Sequence, residues 1–251
     1  MKNLVYCTKN FIDYFENNKR IKGYFMGTRE ELIKQKEKTS LALIEAALEH
    51  CSKEGYASLS LRSVARKANI APTSFYRHFR DIDELGVAMI DKGSDILLTW
   101  LVQTLDKMVW QPLKEYTLDE RMTSIEKITI PFVDSFIHLM ETHPFLLGLF
   151  FQERTGSSEP LRTSIAKTEK KMIDTLSDHL TTITLIHNSG FENTSLIAKT
   201  MIRIASADGL ELLIQSNNNR EEVIHQLIQK LNFLLLGASI QNQLKQGVKD
   251  A

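Results

Sequence analysis

Apolar residues recur at three- and four-residue spacing along most of this chain, the period of an amphipathic helix. Leu41, Ile44, Ala47, Leu48 and Cys51 form one stripe over Thr39–Lys53, and Gly55 follows where a helix C-terminal glycine belongs. Ser60 is a good N-cap for a short helix with Leu61, Val64, Ala65 and Ala68 on one side. Asn69-Ile70-Ala71 makes a turn. Pro72 suits the first position of the next helix, which the pattern carries to Phe79. Asp81 and Glu84 resemble a capping box opening a long helix from about Ile82 to Met108. Further helices are predicted at roughly 118–142, 144–154, 159–185, 192–216 and 219–246, separated by Gln111-Pro112, His143-Pro144, Gly156–Ser158, Asn188–Gly190 and Ser216–Asn219. Pro131 falls inside one of them and is expected to kink it or delay its start. No run of alternating β-branched residues with hairpin turns appears. The expected class is therefore all-α.

Composition narrows the chemistry. The 251 residues hold 31 Lys+Arg and 31 Asp+Glu, a formal net charge of zero. Hydrophobic content of 43% and charged content of 25% exclude a disordered chain. Cys7 and Cys51 make no disulfide framework and no Cys-x-x-Cys metal site, so a reducing cytoplasm is the expected compartment. No uncharged stretch is read as reaching the roughly 18 apolar residues of a membrane helix. Residues 1–25 lack the apolar region of a secretory signal and read as an extension upstream of a second candidate start at Met26. The histidines show no metal-ligand spacing. No nucleophile motif or glycine-rich phosphate loop is present, so no enzyme, metal site or cofactor is expected.

One window stands out against this neutral background. Gly55 to Arg80 holds Arg62, Arg66, Lys67, Arg77 and Arg80 and no acidic residue, which suits a polyanionic partner or a solvated face. In the same window, two short helices joined by a tight turn follow a third, the ingredients of a helix-turn-helix. Val64, Ala65, Ala68, Ile70, Phe75 and Phe79 can pack inward, with Cys51 as a small buried hydrophobe. That leaves Thr73, Ser74 and Arg77 pointing outward, with Tyr76 and His78 to one side. These groups hydrogen-bond phosphate oxygens and base edges. The start of the second short helix also offers free N–H groups to a phosphate.

Ser60-Leu61-Arg62-Ser63-Val64-Ala65, Ile70 through Phe79 and Asp83-Glu84-Leu85 make the stretch from about Lys36 to Leu85 resemble the N-terminal domain of the tetracycline-repressor (TetR) family. Gln35–Thr39, Ala57–Arg62, Ile70–Arg80 and, further on, Gln152-Glu153-Arg154-Thr155-Gly156-Ser157 with Leu161-Arg162 are similar to FabR-type repressors of unsaturated fatty-acid synthesis. The resemblance implies a DNA-binding domain at 26–85 and an effector-binding and dimerisation domain at 86–251. It implies that Tyr76 and His78 contact the DNA backbone, that Thr73, Ser74 and Arg77 face the major groove, and that Arg62 touches DNA from the preceding helix. Ile82 departs from the family's common Lys, so no backbone contact is expected there. Arg66 and Lys67 are read as basic positions that are either contacts or simply solvated.

The resemblance further implies an effector pocket walled by the middle helices, for a long-chain acyl thioester on coenzyme A or acyl-carrier protein. An apolar chain would need Trp100, Phe132, Phe136, Phe150 and Phe151, and its phosphates would need Arg154 and Arg162. Core packing is the alternative for the aromatics, and salt bridges to Glu153 or Glu159 for the arginines. Ile202, Ala205, Ser206, Gly209 and Leu213, with Leu227, Leu231, Leu234, Leu235 and Ala238, form stripes that fit either a two-fold homodimer or an intrachain bundle. The expectation is a cytoplasmic, homodimeric, effector-responsive repressor on a palindromic operator of double-stranded DNA, with no membrane attachment. A regulator of drug efflux or another pathway, and a helical lipid-binding or adaptor protein without DNA binding, are the rival expectations.

Overall fold

The computed structural model describes residues 29–109, 117–187, 191–214 and 219–249. The extension 1–25, the Met26 start, Cys7 and the breaks at Gln111-Pro112 and Asn188–Gly190 lie outside them. Among the described residues there is no strand. The α-helices are α1 (Arg29–Glu54), α2 (Leu61–Lys67), α3 (Pro72–Phe75), α4 (Ile82–Leu105), α5 (Leu118–Thr142), α6 (Pro144–Glu153), α7 (Glu159–His187), α8 (Thr194–Ile214) and α9 (Arg220–Lys249), with a 3₁₀ turn at Tyr56–Ser58. The chain forms two compact units. One takes the chain to Gly93 together with Glu141–Ile165, and the other takes Ser94–Met140 with the chain from Ala166.

In the first unit, α1 begins ten residues before the apolar stripe does. Its opening turns are Arg, Glu, Lys, Gln, Leu and Ile, mostly strong helix formers with no partner to bury against. Periodicity therefore missed them. Leu43, Ile44 and Ala47 are fully buried or nearly so, and α1 packs on α2 and α6. Gly55 ends the helix at φ 77°, ψ 162°, a conformation essentially reserved for glycine. Ser60 and Ser63 cap α2 reciprocally, each hydroxyl accepting from the other's backbone N–H. Asn69 takes the left-handed turn at φ 56°.

The predicted α3 is longer than the observed one. After Phe75 the chain tightens, with Arg77 N–H on Ser74 O and His78 N–H on Phe75 O. The chain must turn into α4 immediately, and tighter bonds shorten the run. Asp81 accepts from the Glu84 N–H at 2.7 Å, and Glu84 reaches back to the Arg80 N–H at 2.6 Å. Behind this cap, the Tyr56 hydroxyl donates to Asp83 Oδ1 at 3.1 Å and approaches Ile82 O at 3.2 Å. Ser158 Oγ donates to the same Asp83 oxygen at 2.8 Å. A Cβ at Gly86 would lie 2.5 Å from both the Tyr56 hydroxyl oxygen and Leu161 Cδ1; helix α4 passes this close only because residue 86 has no side chain.

In the second unit, α8 and α9 pack along their length. Ile202, Ala205, Gly209, Leu227, Leu231 and Leu235 are buried there, so most of the stripe offered for a dimer is an intrachain face. What α9 leaves exposed is a different side, with Phe233 at 69% and Ile240 at 38% exposure. Asp208, nearly buried, takes Lys230 Nζ on both carboxylate oxygens at 2.9 Å. The buried Thr129 hydroxyl donates to the buried Asn232 Oδ1 at 2.6 Å. Helix α5 continues through Pro131. By length and composition alone Arg220–Gln241 is apolar enough to cross a membrane, although it carries Arg220, Glu221, Glu222 and Lys230 and so is not an uncharged stretch. One of its sides, with Leu227, Leu231, Leu235 and the Lys230–Asp208 pair, is spent on α8.

Thr129→Val strands a buried amide oxygen, and the expected cost is about 1–3 kcal/mol. The double variant Thr129→Val/Asn232→Leu should recover much of it. Urea unfolding of both variants checks this, and a double-variant loss no smaller than that of Thr129→Val would show that the stranded oxygen is not its cause.

Candidate nucleic-acid interface

The second half of the helix-turn-helix has two sides with different chemistry. Phe75 is fully buried and Phe79 nearly so, with ring centroids 5.8 Å apart. Val64 and Ala65 are also fully buried. Thr73, Tyr76 and Arg77 are exposed, and Ser74 and His78 are half-buried. Tyr76 sets its ring edge-on to Phe75 at 6.1 Å, yet the residue remains 64% exposed. A large aromatic so placed is anchored at one end and free at its phenol.

The five cations of the window divide into two groups. Lys67 Nζ meets Glu49 Oε1 at 2.9 Å and ties α2 to α1. The hydrogen bond from Lys67 holds the Glu49 carboxyl below the ordinary carboxylate range, with Lys53 assisting. Arg80 pairs with Glu84 at 3.1 Å; the Arg80 backbone N–H and then its side chain keep that carboxyl low as well. Arg62, Arg66 and Arg77 are exposed, and among the described residues no carboxylate pairs with them. Three positive charges are thus left free, while Lys67 and Arg80 serve structure.

Two clefts flank the turn that leads into α3. One, of about 680 Å³, is lined by Ser60, Arg62, Ser63, Arg66 and Asn69. The other, of about 590 Å³, is lined by Gln35, Lys36, Thr39, Ser74, Arg77 and His78. Both reach Ile70 and Ala71, so the turn and the polar side of α3 stand between two grooves rich in cations and hydroxyls. That is the relief needed by a ridge entering a nucleic-acid groove between two phosphate strands. Gln35, Lys36 and Thr39 were missed as site residues because they sit on the polar opening of α1, where no apolar period marks them. A four-residue α3 also gives little macrodipole, so it is its side chains that give this surface its chemistry.

His78 is held neutral. Burial first, then Lys36 and Arg77, push its pKa below the ordinary histidine value. Its Nδ1 is buried without a partner.

The residues expected to line an effector site fall in separate units. Trp100, Phe132 and Phe136 form a tilted aromatic cluster in the second, with centroids 5.7 and 5.9 Å from the indole. The Trp100 indole N–H donates to Ser135 Oγ at 2.9 Å, which lies 2.7 Å from Thr104 Oγ1. Phe150, Phe151, Arg154 and Arg162 belong to the first unit. Phe150 is buried, while Phe151 and Arg154 are half-buried. Arg162 donates to Gly156 O at 2.6 Å, bracing the turn ahead of α7. Among the described residues no group of acids, histidines and cysteines is placed to hold a metal. Cys51, half-buried, has its thiol pKa pushed up to about 12 by burial and by Glu153, which leaves it without nucleophilic character.

Residues 43–89 match the family described as "Bacterial regulatory proteins, tetR family". The fold is that of several solved structures. Salmonella enterica GusR superposes with a TM-score of 0.57 at 17% identity, covering 80% of this chain and 95% of that one. A transcriptional regulator from Pseudomonas aeruginosa PAO1 gives 0.62 at 15%, covering 82% and 94%. The reduced form of E. coli NemR gives 0.56 at 18%, covering 76% and 95%.

His78 in the first unit and His179 in the second both have pKa values lowered by burial, the latter against an opposing pull from Asp106. The unfolded chain therefore binds these protons more readily. The stability the neutral rings contribute is fully present above the ordinary value of 6.5 and is lost as pH falls below it and through the lower folded-state value. The urea midpoint should drop on acidification through that range, with a shallower drop in His78→Gln and His179→Gln. An unchanged pH slope in both variants would remove these histidines as the cause.

Proposed function

From a chain with a tetR-family helix-turn-helix domain and the fold of TetR-family regulators, whose members are transcriptional regulators and not enzymes, we propose a homodimeric, effector-responsive repressor of double-stranded DNA. The observation that carries this reading is the polar side of α3, with Arg77 free of any carboxylate and a cationic cleft on either flank. Residues 26–85 form the DNA-binding domain and 86–251 the effector and dimerisation domain. Thr73, Ser74 and Arg77 read base edges, and Tyr76, His78 and Arg62 fix the phosphate strands. Arg66, free and on the wall of the same cleft as Arg62, joins the phosphate contacts.

A symmetric operator needs two such helices about 34 Å apart. The exposed side of α9 around Phe233, Gly237 and Ile240 supports a second copy as its cover. Its glycine permits close helix approach and its apolar side chains supply buried area. The effector is a long-chain acyl thioester, a reading supported by the resemblance over Gln152–Ser157 and Leu161-Arg162 to repressors of unsaturated fatty-acid synthesis. A coupling of about 1–3 kcal/mol between effector and operator suffices for control.

Selection of genomic fragments bound by the protein, with and without acyl-CoA, tests the whole reading. Palindromic fragments from lipid-metabolism promoters, with a yield that changes on adding acyl-CoA, are expected. Fragments indifferent to acyl-CoA would remove the acyl effector. Arg77→Ala should weaken operator binding by about 1–3 kcal/mol and relax preference at one base position. Phe233→Glu should shift sedimentation from dimer to monomer; a persistent dimer would place the two-fold interface elsewhere.

A further inference from the structure

We infer that the cleft between the opening of α1 and the turn after α3 is a phosphodiester seat, with Lys36 as its fixed charge and Arg77 and His78 at its other wall. The inference rests on the DNA-binding reading and adds to it a contact from α1, outside the helix-turn-helix itself. The seat is a concavity of about 590 Å³ whose walls carry Lys36, Arg77, His78, Gln35, Thr39 and Ser74, and no acid. An anion entering it meets two permanent cations and several neutral hydrogen-bonding groups.

The field inside is positive. Lys36 on α1 and Arg77 on the α3 turn are the charged groups acting on His78, and both oppose its protonation. Cations from two different elements thus line one groove with no carboxylate in its walls, a favourable arrangement for an anion. The neutral imidazole then takes part by hydrogen bonding and not by charge.

The position explains why α1 extends past its own core contacts. Residues 30–38 with described side chains are exposed, and α1 begins burying apolar side chains only from Leu43. The surplus turns bring Lys36 to the cleft. The seat and the Arg62–Arg66 cleft share the Ile70-Ala71 turn as a common wall and otherwise have different linings. A duplex straddling α3 would therefore rest one strand on each, and a phosphodiester suits the second groove better than an isolated carboxylate does.

The test uses the full-length protein and a duplex obtained from genomic selection, with binding followed by fluorescence anisotropy between about 50 and 200 mM salt. Lys36→Gln is expected to weaken binding several-fold, equally for operator variants changed at single base pairs, and to lower the log–log salt slope by about one. Lys36→Arg should restore both. Lys38→Gln, on the same helix outside the cleft, and Lys67→Gln, whose charge is engaged by Glu49, should leave the slope unchanged. Circular dichroism verifies that each variant is folded. A wild-type slope in Lys36→Gln, while Arg77→Ala still loses affinity, overturns the seat and leaves the DNA-binding reading standing. A loss confined to one base position overturns it as well, making Lys36 a base reader. Absence of binding by the wild-type protein to any selected duplex removes the DNA-binding reading and the seat with it.

Discussion

A helix of four residues has no stability of its own, so the exposed side of α3 exists only because its other side is buried. Phe75, fully buried, and Phe79, nearly so, point inward, and α3 packs on α2. Every outward group discussed above takes its direction from those two rings. Burying a phenylalanine contributes about 1.5–3 kcal/mol, enough to hold Thr73, Ser74 and Arg77 in place where local propensity could not. The same anchoring lets Tyr76 stand out in water, since its ring edge rests on Phe75.

Charge is sorted by the packing that follows. Glu49 and Glu84 each take a cation from the basic window, and both pairs are local braces: one joins α2 to α1, the other closes the start of α4. The cations with no such partner lie on the walls of the two clefts. Exposed ion pairs contribute little to stability. Their consequence here is selective, because they decide which positive charges remain available to a polyanion.

The Asp83 carboxylate is a junction in the first unit. It accepts from Tyr56, just ahead of α2, and from Ser158, at the turn before α7. Burial, and then the nearby Asp83 charge, keep the Tyr56 phenol well above its usual pKa, so it stays a donor. Two segments distant in sequence therefore share one acceptor at the start of α4. A shift at the Gly156–Ser158 turn would be felt at Tyr56, just ahead of the helix-turn-helix, through that shared acceptor.

Short-range rules were enough to read the helix starts and stops around the interface. Gly55, the Ser60 cap, Pro72 and the Asp81–Glu84 box each act within four residues, so spacing alone revealed them, and with them the inward Phe75 and Phe79 and the outward Thr73 and Arg77. Composition likewise exposed the acid-free window, though not which of its cations are free. Tertiary packing decided the rest. It bound Lys67 to Glu49, carried Lys36 and Gln35 on a non-periodic helix opening to the side of His78, and turned the α8–α9 stripe inward, leaving Phe233 outside. A periodic stripe states that a helix has an apolar face but not what covers it. A charge in a sequence likewise does not name its partner, because both depend on which distant segments the folded chain brings within a few ångströms.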